Sequence, residues 1–287
     1  MITLSNGTEI DFVASGGALG YDGNGLCWQK PFELIGLHDP GLFTIVLKTI
    51  TLHPKCGNWE FGNPHHCIRL IKDGMVNAIG LTNPGIVFWK KYIVPRMNFS
   101  LKLIPSIYGE PHDIAEMCRK FNGLDFKAIE INASCPNVDK GIVGNNEKIL
   151  ESCRKAKNKS RHPIILKVSV LHDIYKVIKL TEDIVEAYSI NSVPWSYVFP
   201  EHESPLRELG GGGVSGKAAQ KINWDLAKKI ISLTDRPVVV PIWNFDDVYK
   251  AEEFGAKAFS FCTRFLLQPW APTAIVRKCY SKIEDDW

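Results

Sequence analysis

Cys135 stands in the segment INASCPNV, bracketed by Asn132 and Asn137 and followed at once by Pro136. A thiol acts as a base, nucleophile or metal ligand only as its thiolate, and a free cysteine titrates at roughly 8.5 unless neighbours lower it. Read alone, such a cysteine is equally a small buried hydrophobe. The flanking carboxamides each carry a donor and an acceptor. Lys48 in VLKT and Lys167 in ILKV interrupt apolar runs, where an ammonium group is costly unless it meets an anionic or electron-rich partner. The run ELGGGGVSGK, residues 208–217, offers consecutive backbone N–H groups without side-chain obstruction. Such a run can cradle phosphate or simply serve a turn, and its spacing fits neither a dinucleotide fingerprint nor a Walker loop.

These residues sit at the ends of eight segments rich in β-branched and apolar residues: 11–17, 44–50, 101–107, 128–134, 163–169, 187–193, 237–243 and 258–264. Near-continuous apolar runs are the pattern of parallel strands covered on both faces. Helical periodicity lies between several of them. In PHDIAEMCRKFN the apolar positions Ile114, Met117, Cys118 and Phe121 recur at helical spacing, and NWDLAKKIIS reads as a helix capped by Asn223. The expected fold is α/β, a (β/α)8 TIM barrel formed by a single domain over residues 1–287, with an open doubly wound sheet as the structural alternative. Asn6-Gly7 between apolar flanks predicts a short N-terminal β-hairpin under the barrel, and residues 51–100 and 193–216 read as long βα loops. A barrel places its chemistry at the C-terminal ends of the strands, which here are Ser15 and Gly16, Lys48 and Thr49, Tyr108 and Gly109, Asn132 with Cys135 and Asn137, Lys167, then Asn191 and Ser192.

Composition narrows the partners. A formal net charge of +3, from 34 basic and 31 acidic side chains spread along the chain, gives no footprint for nucleic acid or an anionic membrane. The opening MITLSNGTEIDF has no basic segment followed by an apolar one, and no apolar run is long enough to span a bilayer, so a cytoplasmic location is expected. The eight cysteines then read as reduced thiols. In HPKCGNWEFGNPHHC the irregular Cys and His spacing favours loop packing over zinc, and no metal is expected.

Six collinear segments, LKTITLHPKCGNW, VNAIGLTNPG, INASCPNV, PIILKVS, SINSV and GGGGVSGKA, closely resemble those of the class 1 dihydroorotate dehydrogenases, FMN enzymes built on a (β/α)8 barrel. The flavin domain of dihydropyrimidine dehydrogenase is similar and shares the GGVSG form of Gly212 to Gly216. The resemblance implies oxidation of dihydroorotate to orotate in pyrimidine biosynthesis. Cys135 would take the C5 proton while hydride leaves C6 for flavin N5. It implies substrate contacts from Asn77, Asn132, Asn137, Asn191 and Ser192, with Lys48 near both flavin and substrate carboxylate. Flavin contacts would come from Ala14, Ser15, Gly16, Lys48, Thr49, Asn132, Lys167, Asn191, Gly212, Gly213, Ser215, Gly216, Asn244, Thr263 and Arg264. It further implies a homodimer, and NVDKGIVGNNEK is closer to the NAD-linked form, which works with a separate FAD and iron–sulfur subunit.

The departures cluster where the flavin phosphate should sit. Family members have paired glycines after strand seven and Gly-Thr after strand eight, whereas here Pro241, Ile242, Trp243 and Cys262 stand at those places. Proline lacks an N–H and bulky side chains oppose close backbone approach. Two further readings stay open: an FMN oxidoreductase for another pyrimidine or an enoate, and a barrel without flavin that serves as a partner subunit.

Overall fold

The computed structural model describes residues 1–134, 145–190 and 192–285. All eight expected segments contain strands. We number them β1 (Phe12–Ala14), β2 (Thr44–Val46), β3 (Lys102–Ile104 and Ser106–Ile107), β4 (Ile129–Asn132), β5 (Ile164–Val168), β6 (Ala187–Ile190), β7 (Val238–Pro241) and β8 (Ala258–Phe261). β3 is two pieces because Pro105, lacking an N–H, interrupts the ladder. Its first piece pairs with β2 and its second with β4, all parallel, so the sheet meets itself at Pro105 and forms a barrel. The carbonyl of Pro105 still accepts from Glu130 N at 3.0 Å, which bridges the gap.

The barrel interior changes character along its axis. At the N-terminal end Val13, Val46, Ile104, Ile165 and Val239 form a buried cluster with Ile2, Leu4 and Ile10. Ile2 and Ile10 pair across the predicted hairpin, Ile2–Thr3 against Glu9–Ile10, which therefore plugs the barrel bottom. Its turn needs Gly7 at φ +79°. Two residues further up, the inward positions of β3, β4, β5, β6 and β8 turn polar: Ser106, Glu130, Lys167, Ser189 and Ser260, all buried. The helix Pro111–Phe121 packs outside through the predicted apolar positions and carries a capping box of Glu110 and Asp113.

One expectation is corrected. The helix ahead of β7 runs from Lys217 to Leu233, so Asn223 is no cap but an interior, buried helical residue; the chain enters the helix at Gly216, whose φ of +95° ends the preceding strand. The long loops are present as expected and carry strands of their own. Ile68–Ile71 and Gly74–Asn77 form a hairpin joined by Gly213–Gly216 and Val193–Pro194 into a four-stranded antiparallel sheet. Residues from the two excursions, Asn77 and Ser215 among them, line a cavity with the ends of the barrel strands.

Candidate active site

A single directed chain of hydrogen bonds organises the β2 to β6 side of the mouth. Glu130 Oε1 accepts from Ser106 Oγ at 2.9 Å and from Lys167 Nζ at 3.2 Å, while its Oε2 accepts from Ser189 Oγ at 2.8 Å. Because the one hydroxyl proton of Ser106 goes to Glu130, Thr49 Oγ1 must donate to Ser106 Oγ across their 2.9 Å contact. Thr49 Oγ1 in turn accepts from Asn132 Nδ2 at 3.0 Å. The other end of that carboxamide, Oδ1, accepts from Ser134 N and Oγ. The orientation of Asn132 is thus fixed, and one Nδ2 hydrogen is left to face the cavity that Asn132 lines.

Sequence reasoning asked what anion answers the lysines, and for Lys167 the answer is Glu130. Both side chains are buried, at 6% and 2% exposure, so neither charge is tenable without the other. Lys167 also presses on the backbone of β1's end: a Cβ at Gly16 would stand 3.2 Å from Nζ. Lys48 reaches over the Tyr21 ring at 5.5 Å. Burial pushes the Cys262 thiol up, and Lys167, the Ser15 hydroxyl and Lys48 pull it back down; both lysines and Cys262 line the same cavity.

The β7 to β8 side is built differently. Trp243 N and Asn244 N both donate to Asp247 Oδ2, at 2.9 and 3.0 Å, and Gln220 Nε2 adds a third donor at 2.7 Å. The Trp243 ring lies against Gly216, whose hypothetical Cβ would be 3.1 Å from it, and carries the Arg264 guanidinium 4.7 Å above its centroid. Arg264 Nε and Asn223 Oδ1 are buried without a hydrogen-bond partner. Thr263 Oγ1 donates to Ser215 Oγ at 2.7 Å.

The cavity between the two sides measures about 230 Å3. It brings together Ser15, Gly16, Lys48, Thr49, Asn77, Asn132, Lys167, Ser192, Ser215, Gly216, Thr263 and Arg264 of the predicted site. Cys135, Asn137 and Asn191 lie outside the described residues. Four predicted contacts are engaged elsewhere. Ala14 is fully buried in β1, Asn244 caps the helix Phe245–Glu253 by accepting from Asp247 N, and Gly213 pairs in register with Asn77. Gly212, at φ +77°, lets the strand pass close to the Asn77 carbonyl, where a Cβ would come within 2.8 Å. Sequence reasoning missed Ser106, Glu130, Ser189, Gln220 and Asp247. The signal for Glu130 was a charged residue inside an apolar strand, the same signal that drew attention to Lys167.

A barrel whose mouth converges two lysines, a buried carboxylate and a row of hydroxyls and carboxamides defines an enzyme of the TIM-barrel type. The chain belongs to the dihydroorotate dehydrogenase family, which matches residues 16–277, and it is an oxidoreductase of that type. It is 30% identical over 246 residues to the dihydroorotate dehydrogenase B (NAD(+)) catalytic subunit of Desulforudis audaxviator, covering 82% of this chain and 78% of that one. The same-named subunit of Brachyspira hyodysenteriae is 30% identical over 248 residues, covering 82% and 80%. Among solved structures a ligand-free dihydroorotate dehydrogenase from Eimeria tenella superposes with a TM-score of 0.70 at 17% identity, over 92% of this chain and 81% of that one. The family is flavin-dependent. Two buried atoms without partners in the cavity wall, one acceptor on Asn223 and one cationic donor on Arg264, fit a ligand with polar hydrogens and an anionic end. The amides after β7, engaged by Asp247, do not fit a phosphate cradle.

Among the described residues no helix is long and apolar enough to cross a membrane.

Proposed function

We propose that this chain oxidises dihydroorotate to orotate with FMN, as a step of pyrimidine biosynthesis in the cytoplasm. Bound FMN supplies the hydride acceptor, at N5. Cys135, as thiolate, takes the proton from C5, so that the loss of this proton together with hydride from C6 leaves the C5–C6 double bond of the product. The observation that carries the reading is the oriented chain from Asn132 through Thr49 and Ser106 to Glu130 and Lys167. It holds one carboxamide N–H and one ammonium group in fixed places beside the cavity, as a polar ring and an electron-accepting partner require. Asn77 and Ser192 add further polar groups to the same wall, and Asn137 and Asn191 complete the substrate set. Lys48 serves the substrate carboxylate. The acceptor of the electrons is a separate subunit, in keeping with the name "catalytic subunit" borne by the relatives, and the chain itself, a single domain, forms a homodimer.

The experiment is an absorption spectrum of the purified protein, with FMN added where needed, followed by anaerobic dihydroorotate. Bleaching of a bound flavin supports the reading, and a bound flavin that stays oxidised moves the substrate to another pyrimidine or an enoate. A second reading, a barrel that serves without flavin as a partner subunit, draws support from one observation. The cavity of about 230 Å3 is below the roughly 300–1,000 Å3 usual for ligand sites, with Trp243 and Arg264 stacked on its wall. Protein that takes up no FMN favours it.

A further inference from the structure

We propose that the anionic end of the flavin is recognised by the Arg264 guanidinium, stacked on Trp243, in place of a backbone cradle after β7 that the chain's own Asp247 closes. The inference rests on the flavin reading above and deepens it.

A phosphate held by backbone amides needs N–H groups that point outward and have no other acceptor. After β7 Pro241 has none, and the N–H groups of Trp243 and Asn244 both end on Asp247 Oδ2. A phosphate brought to that spot meets a carboxylate instead of donors. Much of the glycine run is engaged as well: Gly210 N and Gly211 N donate to Arg207 O and Leu206 O, and Gly213 and Gly216 are paired with Asn77 and Gly74.

Arg264 has the opposite character. Among the described residues it takes part in no ion pair within 4 Å, and its Nε is buried with no acceptor. Burial lowers its pKa from the ordinary value, the mark of a cation whose lost hydration nothing has replaced. The guanidinium carbon stands 4.7 Å over the centroid of the Trp243 ring, and Arg264 lines the cavity. A planar fork with parallel N–H groups matches the oxygens of a phosphate. Trp243, a misfit to the family pattern, thereby becomes the platform for the residue that replaces the glycines.

The test titrates the flavin-free full-length chain with FMN and with riboflavin, which lacks only the phosphate, following the quenching of flavin fluorescence. The expected result is that Arg264→Met weakens FMN by about 10- to 100-fold and leaves riboflavin within about twofold, with Arg264→Lys in between. Circular dichroism and the melting temperature report whether each variant is folded, and the FMN-to-riboflavin ratio is insensitive to a uniform loss of competent protein. Equal weakening of both flavins, or none, overturns the assignment while the flavin reading stands. Wild-type protein that binds neither flavin overturns both.

Discussion

The two sides of the barrel mouth solve opposite problems with the same residue type. On the β4 to β5 side a carboxylate, Glu130, is buried to hold a cation and two hydroxyls in place. On the β7 to β8 side a carboxylate, Asp247, is turned onto backbone amides and so removes them as donors. One acid keeps a polar site ready, whereas the other closes one. The difference teaches that one barrel mouth can hold a polar site ready on one side and close off backbone donors on the other, because the two halves share no hydrogen-bond partner among the contacts described.

The largest effect should come from the proposed base, Cys135, which follows β4 in the sequence. Cys135→Ser is expected to slow reduction of bound flavin by dihydroorotate by about 10²- to 10⁴-fold at neutral pH, with flavin content unchanged, since general bases contribute on that scale. Wild-type reduction should rise with pH as the thiol deprotonates. Stopped-flow absorbance measures both, and unchanged kinetics in the variant would overturn the assignment of Cys135 as the base. Next is the ion pair. Lys167→Met strands Glu130 as a buried unpaired charge and should cost about 3–5 kcal/mol in urea unfolding. Adding Glu130→Gln should recover a large part of that loss, because the two single changes break one interaction. If the two losses simply add, Glu130 and Lys167 are not coupled and the polar side is not a unit.

How much of this was legible follows from the range of each interaction. The eight strands were readable because burial on both faces makes each a local apolar run, and Lys48, Lys167 and Asn132 were readable as polar residues at strand ends. Glu130 was not, although it lies two residues before Asn132. In AIEINAS it carries the same local signal as Lys167, a charge inside an apolar strand, but its meaning depends on Lys167, 37 residues away. The antiparallel sheet over the mouth joins Gly74–Asn77 to Gly213–Gly216, a pairing that no local pattern signals. Asp247 reads locally as an acid in the first turn of a helix, which it also is. Its grip on Trp243 N follows only from the path of the chain after Pro241. The misfit of Pro241 and Trp243 to the family pattern was plain in the sequence, but the contact of Arg264 with the Trp243 ring was not.

A smaller effect measures whether the sides are independent. Asp247→Ala removes the acceptor of three hydrogen bonds and should cost about 1.5–3 kcal/mol. Combined with Lys167→Met, the losses should add within about 0.5 kcal/mol in urea unfolding. A larger deviation would mean that the halves communicate.

The smallest effect belongs to two histidines, one per side. His172, 7% exposed, follows β5 and its Nδ1 accepts from Ser169 N at 3.0 Å; His38, 1% exposed, packs edge-on against Phe265 beyond β8. Burial lowers both pKa values from the ordinary 6.5; at His172 the backbone of Ser169 and Ala133 opposes it in part, as do Glu33, Pro269 and Asp39 at His38. A histidine whose folded pKa is depressed binds its proton more readily when unfolded. Its contribution to stability is therefore complete above 6.5 and declines as pH falls below it, by at most about 1.4 kcal/mol per pH unit for each ring. Urea midpoints taken from pH 7 to 5.5 should fall, and His172→Gln and His38→Phe should each flatten part of that slope. If only His172→Gln does so, protonation strains the reactive side alone. A slope that survives both substitutions assigns the acid sensitivity to other groups and leaves the two sides alike in this respect.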